Sequence, residues 1–150
     1  MSKYWEDFHK GEKFDTQGLT LTETHLVNWA SLTGDWFELH TNEEYAKKTP
    51  FGGRIAHGPL VFALALGLVT RREYVGDAVM SFLGIDKLRA VAPVRIGDTI
   101  HTEVEFVDKR ETRKPDRGIM ILRNRAKNQR DEVVMEFDLT AMFYRAPQIT

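Results

Sequence analysis

A carboxylate and two imidazoles lie close together in the sequence between Gly34 and Gly58. Asp35 and His40 are five residues apart, and His57 adjoins Gly58. A carboxylate and an imidazole directed at one water molecule form a general acid/base pair, and histidine titrates near neutral pH. The spacing also fits a second interpretation, in which Asp35 stabilises a turn and His40 is a half-buried residue beside a helix. We interpret His57 as a hydrogen-bonded scaffold residue.

The most apolar segment of the sequence begins with a Gly-Pro pair. Because proline lacks the N–H that a first helical turn leaves unpaired, Gly58-Pro59 predicts the start of a helix that runs to about residue 72. The segment LVFALALGLV is apolar on all sides, so we expect the helix to be buried at the centre of the domain. Its N-terminus offers unpaired N–H groups and a positive dipole end, which stabilise negative charge on an oxygen.

The elements that must position these residues are short ones. The sequence predicts a strand over 13–21 and a helix over 23–32, with a polar loop after it. Thr41 and Glu44 then have the spacing of a capping box, in which Thr41 caps a short helix and Glu44 reaches back to the cap. This cap would fix the chain direction at His40.

The second half of the sequence alternates apolar and polar residues with the period of β-strands. The predicted strands run over 80–88, 100–106, 119–126 and 133–143. Turn residues separate them at 95–98, 114–118 and 128–131. The fold class is therefore α+β, with an antiparallel sheet wrapped against one apolar helix.

The composition excludes several classes of function. The 150 residues suit one domain, 1–150, and 21 Lys+Arg against 22 Asp+Glu leave no basic excess for nucleic acid or an anionic membrane. The sequence has no cysteine and no histidine pair at helical spacing, so it predicts neither a metal site nor a cofactor. The longest apolar run, 59–69, is too short to span a bilayer. We expect a cytoplasmic protein, since an absence of cysteine fits a reducing compartment.

Two stretches resemble the hydratase signature of MaoC-like dehydratases and (R)-specific enoyl-CoA hydratases. GDWFELH, residues 34–40, is similar to the family pattern G-D-x-N-P-L-H, and FGGRIAHGPL, residues 51–60, is similar to F-x-x-P-I-x-H-G-M-L. PVRIGDTI, residues 93–100, resembles the family's P-V-x-x-G-D-x-[VIL] turn. The resemblance extends from about residue 8 to residue 144.

The resemblance implies a hotdog fold, in which an antiparallel sheet wraps a long central helix. It also implies a homodimer or an assembly of dimers, with an acyl tunnel near the subunit interface. The implied reaction is reversible syn hydration of a trans-2-enoyl-CoA thioester to an (R)-3-hydroxyacyl-CoA. Asp35 and His40 match the catalytic pair that holds the water, and Gly58 matches the glycine whose backbone N–H binds the thioester oxygen.

The sequence departs from the family pattern within residues 34–40 and on the predicted central helix. Phe37-Glu38 replaces Asn-Pro, and Leu66 falls where the family has a serine. Glu38 is a second acid, a repulsive neighbour of the pair, or a solvated side chain, and we favour the last. Two other functions stay open: a hotdog acyl-CoA thioesterase that uses Asp35 or Glu38, and a non-catalytic acyl-CoA-binding subunit. The presence of both Asp35 and His40 favours an enzyme.

Overall fold

A computed structural model describes residues 3–147, so residues 1–2 and 148–150 of the predicted domain lie outside it. The strands are β1 (Lys13–Asp15), β2 (Leu19–Thr20), β3 (Val79–Ala90), β4 (Thr99–Glu111), β5 (Arg117–Lys127) and β6 (Val133–Tyr144). The helices are a 3-10 turn (Trp5–Asp7), α1 (Glu23–Thr33), α2 (Glu38–Thr41), α3 (Glu43–Ala46), α4 (Gly58–Val69) and α5 (Arg72–Val75).

The strands form one antiparallel sheet in the order β1-β4-β5-β6-β3, and β2 pairs with β4. Strands β4 and β5 form one hairpin, and β5 and β6 form the next, as the predicted strands and turns indicate. Strand β3 lies at the sheet edge beside β6 rather than beside the next strand in sequence. The α+β prediction is confirmed.

Helix α4 packs on the sheet through one side only. The buried side consists of Leu60, Val61, Ala65, Leu68 and Val69. The opposite side is half-buried or exposed, so the prediction that the helix is buried on all sides is wrong for the single chain. An apolar helix covered by one sheet keeps its far side open, and the sequence cannot indicate which side that is.

Two predicted elements are shorter than expected. The strand over 13–21 is divided into β1 and β2, and between them Thr16 exchanges two hydrogen bonds with Thr102, of 2.9 and 3.0 Å. Helix α4 ends at Val69 instead of residue 72, and α5 follows after a break. Within residues 3–147, no helix has both the length and the apolarity needed to cross a membrane.

Candidate active site

The turn that carries Asp35 and His40 begins at the end of α1. Gly34 takes a left-handed conformation, with φ of 78°, and its N–H donates to the Ala30 carbonyl at 2.8 Å. This glycine cap ends the helix and turns the chain before Asp35. Asp35 Oδ1 then accepts the Phe37 N–H at 3.3 Å. The side chain therefore stabilises a turn, as the simpler interpretation predicts, and it does so with only one of its two oxygens.

His40 lies in a one-turn helix, α2, and not in a loop. Because α2 includes Thr41, the next helix, α3, is capped by Asn42 instead of Thr41. Asn42 Oδ1 accepts the Tyr45 N–H at 3.1 Å. The predicted capping box from Thr41 to Glu44 is therefore wrong, since asparagine is an equally good cap. The Thr41 hydroxyl lies instead 3.1 and 3.2 Å from the backbone carbonyl oxygens of residues 36 and 37.

The segment 51–57 holds both members of the candidate pair. The carbonyl of Ile55 accepts from Nδ1 of His40 at 2.7 Å, and the carbonyl of Asp35 accepts from Nε2 of His57 at 3.0 Å. A carbonyl oxygen only accepts, so each of these ring nitrogens carries a hydrogen. In its neutral form His40 therefore presents an unprotonated Nε2, which can accept a proton.

The two imidazoles are stacked, with ring centroids 4.0 Å apart and planes inclined by 29°. His57 is fully buried, and its Nδ1 has no hydrogen-bond partner among the described residues. Burial, together with the nearby His40, lowers the pKa of His57. The His40 ring therefore packs against an uncharged His57 ring. The Phe37 ring packs edge-to-face with the same His40 ring, with centroids 5.9 Å apart.

Gly58 begins α4 at the wall of a cavity of about 320 Å³. The cavity lining includes His40, Ile55, Gly58, Val61, Val91 and Met135. A Cβ added at Gly58 would meet no atom within 4 Å, so a ligand can approach its backbone. The functional atoms of Asp35, His40 and His57 lie within 4.8 Å of one another. The structure thus brings Asp35 to His40, and places His40 and Gly58 in one cavity.

The same three side chains offer the donor types of a metal site, but their geometry fits one poorly. Imidazole lone pairs lie in the ring planes, so stacked rings direct them side by side and not at one point. Nε2 of His57 is also occupied by the Asp35 carbonyl, and its Nδ1 is enclosed. The arrangement favours an acid/base pair over a bound metal ion.

Two of the residues that depart from the family pattern, Glu38 and Leu66, make their contacts outside the candidate pair. Glu38 is exposed and accepts from the Asn42 side chain at 2.8 Å. Leu66 lies on the open side of α4, where with Phe62 and Ala63 it lines a second, apolar cavity of about 340 Å³. Sequence reasoning did not identify Ile55, because its contribution is a backbone carbonyl that no side-chain pattern records.

Comparison with known proteins identifies a family and several relatives. The sequence profile of the MaoC like domain matches residues 7–127. The chain is 37% identical over 116 residues to the protein MaoC of Klebsiella aerogenes, which covers 77% of this chain and 33% of that protein. It is 35% identical over 102 residues to an (R)-specific enoyl-CoA hydratase of Rhodospirillum rubrum, covering 67% of each. The chain therefore spans a third of the length of the first relative.

Solved structures agree with this assignment. A monoamine oxidase regulatory protein from Archaeoglobus fulgius superposes with a TM-score of 0.89 at 38% identity, over 97% of each chain. A Mycobacterium tuberculosis protein with a double hotdog fold superposes with a TM-score of 0.86 at 27% identity, over 99% of this chain and 46% of that one. The hotdog fold is confirmed.

Proposed function

Because this chain belongs to the MaoC-like dehydratase family, we propose that it hydrates trans-2-enoyl-CoA thioesters reversibly to (R)-3-hydroxyacyl-CoA. Asp35 and His40 act as the acid/base pair, and the Gly58 N–H binds the thioester oxygen. One observation carries the proposal: a carboxylate oxygen of Asp35 lies within 4.8 Å of a ring nitrogen of His40, and His40 lines the cavity that also contains Gly58.

The pair is suited to hold and activate one water molecule. Asp35 has an oxygen that is not used by the Phe37 N–H, and the bond to Ile55 leaves Nε2 of His40 free to accept. A water that donates one O–H to each of these acceptors directs its own lone pair outward, at C3 of the enoyl group. As its oxygen bonds to C3, the water loses a proton to the pair, and the pair returns a proton to C2. Both additions come from one face, which makes the hydration syn.

The start of α4 is suited to stabilise the charge that this addition creates. Attack at C3 moves electron density onto the thioester oxygen as an enolate. The Gly58 N–H lies in the first turn of α4, where N–H groups lack helical partners and the helix dipole is positive. A hydrogen bond there strengthens as the charge develops, so it lowers the barrier more than it tightens substrate binding.

The exposed edge of the sheet supports a homodimer. Strand β3 pairs with β6 on one side, and its other side has no partner strand among residues 3–147. Phe82, Leu83 and Leu88 on this strand are about half exposed, at 58%, 46% and 47%. A long apolar edge strand is a template for pairing with another chain. We infer that a second copy covers it, beside the cavity that Val91 lines.

The remaining features of the proposal follow from composition and site. The chain has no cysteine, which fits a reducing cytoplasm. The reaction needs only water, two side chains and a backbone N–H, so we infer no cofactor. We infer that the partner is an acyl-CoA thioester substrate. A reaction on such a substrate belongs to fatty acid metabolism. We extend the single hotdog domain to the whole sequence, 1–150.

The test measures the absorbance of the conjugated enoyl thioester, with crotonyl-CoA and a series of longer and branched enoyl-CoAs. A thiol reagent is run in parallel, and the configuration of the product is determined. Loss of the enoyl band without thiol release, giving the (R)-alcohol, is the expected result. Thiol release would instead identify a thioesterase, and ligand-induced thermal stabilisation without turnover would identify an acyl-CoA-binding subunit.

A further inference from the structure

The segment 51–57 contacts both members of the candidate pair, and two guanidinium groups anchor it: that of Arg54, within the segment, and that of Arg95, which donates to the Phe51 carbonyl. We propose that Arg54 is a positioning residue: its guanidinium fixes this segment, so that the adjoining carbonyl of Ile55 holds His40 in its reactive tautomer. The kinetic consequence rests on the proposed function. The structural consequence can be measured without any substrate.

Arg54 binds two carboxylates at once. Its Nε donates to Glu43 at 2.8 Å, and its Nη1 and Nη2 donate to the two oxygens of Glu23 at 2.6 and 2.8 Å. The Arg54 side chain is only 19% exposed. Charge-assisted bidentate bonds are short and directional, so they fix the orientation of the guanidinium as well as its position.

The two partners begin the two helices that flank the candidate pair. Glu23 is the first residue of α1, which ends just before Asp35, and Glu43 is the first residue of α3, which follows His40. The guanidinium therefore ties together the helix before the pair, the helix after it, and the segment 51–57 that contacts it from a third side.

The bond to His40 is one residue from this anchor. Ile55 follows Arg54 directly, and its carbonyl accepts from Nδ1 of His40 at 2.7 Å. Rotation of the peptide that carries the Ile55 carbonyl would break its bond with Nδ1 of His40. The imidazole hydrogen could then move to Nε2. The nitrogen that accepts a proton from water would then be a donor. Loss of Arg54 therefore predicts the wrong tautomer, beyond any loss of stability.

The restraint at this position differs in kind from the one in the family pattern. The family pattern F-x-x-P-I-x-H-G has a proline where this chain has Arg54. A proline ring fixes one backbone dihedral covalently. In this chain, an ion-paired guanidinium provides the restraint at the same position. A lysine would keep the positive charge. It could not make the bidentate bonds of the planar guanidinium, since its ammonium group is a point charge.

The test compares Arg54→Met and Arg54→Lys with a matched control, Arg145→Met. Arg145 is 20% exposed and also binds two carboxylates, Glu6 at 2.7 Å and Glu111 at 3.3 Å, but it packs over Trp5. We expect Arg54→Met to lower kcat at least tenfold with KM changed less than threefold, because small misplacements of reacting groups are costly. The kcat of Arg54→Lys should lie between those of Arg54→Met and the wild type. Arg145→Met should keep the wild-type kcat.

Nitrogen NMR of the histidine rings, with His40 assigned from His40→Ala, provides the second readout. The wild type should show a single Nδ1–H tautomer at His40, and Arg54→Met a mixture. A wild-type kcat and a single tautomer in Arg54→Met would overturn the proposal. If that variant does not fold, Glu43→Gln carries the same two tests. An inactive wild type would refute the proposed hydratase alone, and the tautomer would still decide the role of Arg54.

Discussion

Replacement of Asp35 by asparagine separates its role in the turn from its proposed role in proton transfer. Asparagine keeps an oxygen for the Phe37 N–H, now 3.3 Å from Oδ1, and asparagine favours the same turn geometry. The second carboxylate oxygen becomes an NH₂ group, which donates instead of accepting. A water molecule at the site would then lose one of the two acceptors that direct its lone pair toward C3.

The expected magnitudes of the two effects differ widely. Asp35 is accessible to solvent and has no ion-pair partner among the described residues, so the free energy of unfolding should change by less than about 0.5 kcal/mol. A positioned acid or base contributes about 10²- to 10⁴-fold to a rate. This corresponds to about 2.7–5.4 kcal/mol in the activation barrier for kcat, at about 1.36 kcal/mol per tenfold. KM should change little, because other residues line the cavity.

The assay follows loss of the enoyl-thioester absorbance, and urea denaturation measures stability in parallel. Asp7→Asn is the matched control, because Asp7 also accepts a backbone N–H, from Tyr4 at 2.8 Å, and lies in the N-terminal 3-10 turn. This control should keep the wild-type kcat. A kcat for Asp35→Asn within threefold of wild type, in a folded protein, would remove Asp35 from the mechanism and refute the assignment of the pair.

Three further predictions follow from side chains near and far from the cavity. Phe37→Asn should keep kcat within about threefold, because Phe37 holds the turn through its backbone and its ring is 55% exposed; steady-state kinetics that showed complete loss would mean that this turn works differently from the family's. Folding lowers the pKa of His57 below the usual histidine value of about 6.5. Near and below that pH, the unfolded chain therefore binds more protons than the folded chain does. The free energy of unfolding should therefore fall as the pH drops from 7.5 to 5.5, and urea titrations of His57→Gln should show a shallower fall; an equal slope would contradict the buried neutral state. Gly118→Ala should destabilise the fold by about 1–3 kcal/mol in urea denaturation, because its Cβ would lie 2.5 Å from Nε1 of Trp5; unchanged stability would show that the Trp5 ring can move aside.

The sequence predicts the large elements well because their patterns are local. Alternation with period two follows from the two faces of a strand, and it identified β4, β5 and β6 to within a few residues at most ends. The Gly58-Pro59 pair marks the start of α4 because proline fits the first helical turn. The sequence predicts that a cap at Thr41 directs Asp35 and His40 at one point. The structure brings the two side chains within 4.8 Å of each other, but through the Gly34 turn and α2.

The remaining features depend on contacts between distant parts of the chain. Thr41 and Asn42 are both good caps, and only the formation of α2 decides between them. Helix α4 is apolar all round, so its sequence does not tell which side the sheet leaves open. The tautomer of His40 depends on the carbonyl of Ile55, fifteen residues away, and any residue type supplies a carbonyl.

The departure from the family pattern at Phe37-Glu38 shows why backbone placement matters more here than side-chain identity. The resemblance implies that the family asparagine holds this turn by side-chain hydrogen bonds, which Phe37 cannot make. In this chain the Thr41 hydroxyl contacts the carbonyls of residues 36 and 37, and the His40 N–H bonds the Phe37 carbonyl at 2.9 Å. Glu38 adds a bond to Asn42 on the exposed side of the same turn. Position 37 thus contributes only backbone groups to the restraint of this turn, and Asp35 and His40 stay within 4.8 Å of each other without the motif asparagine.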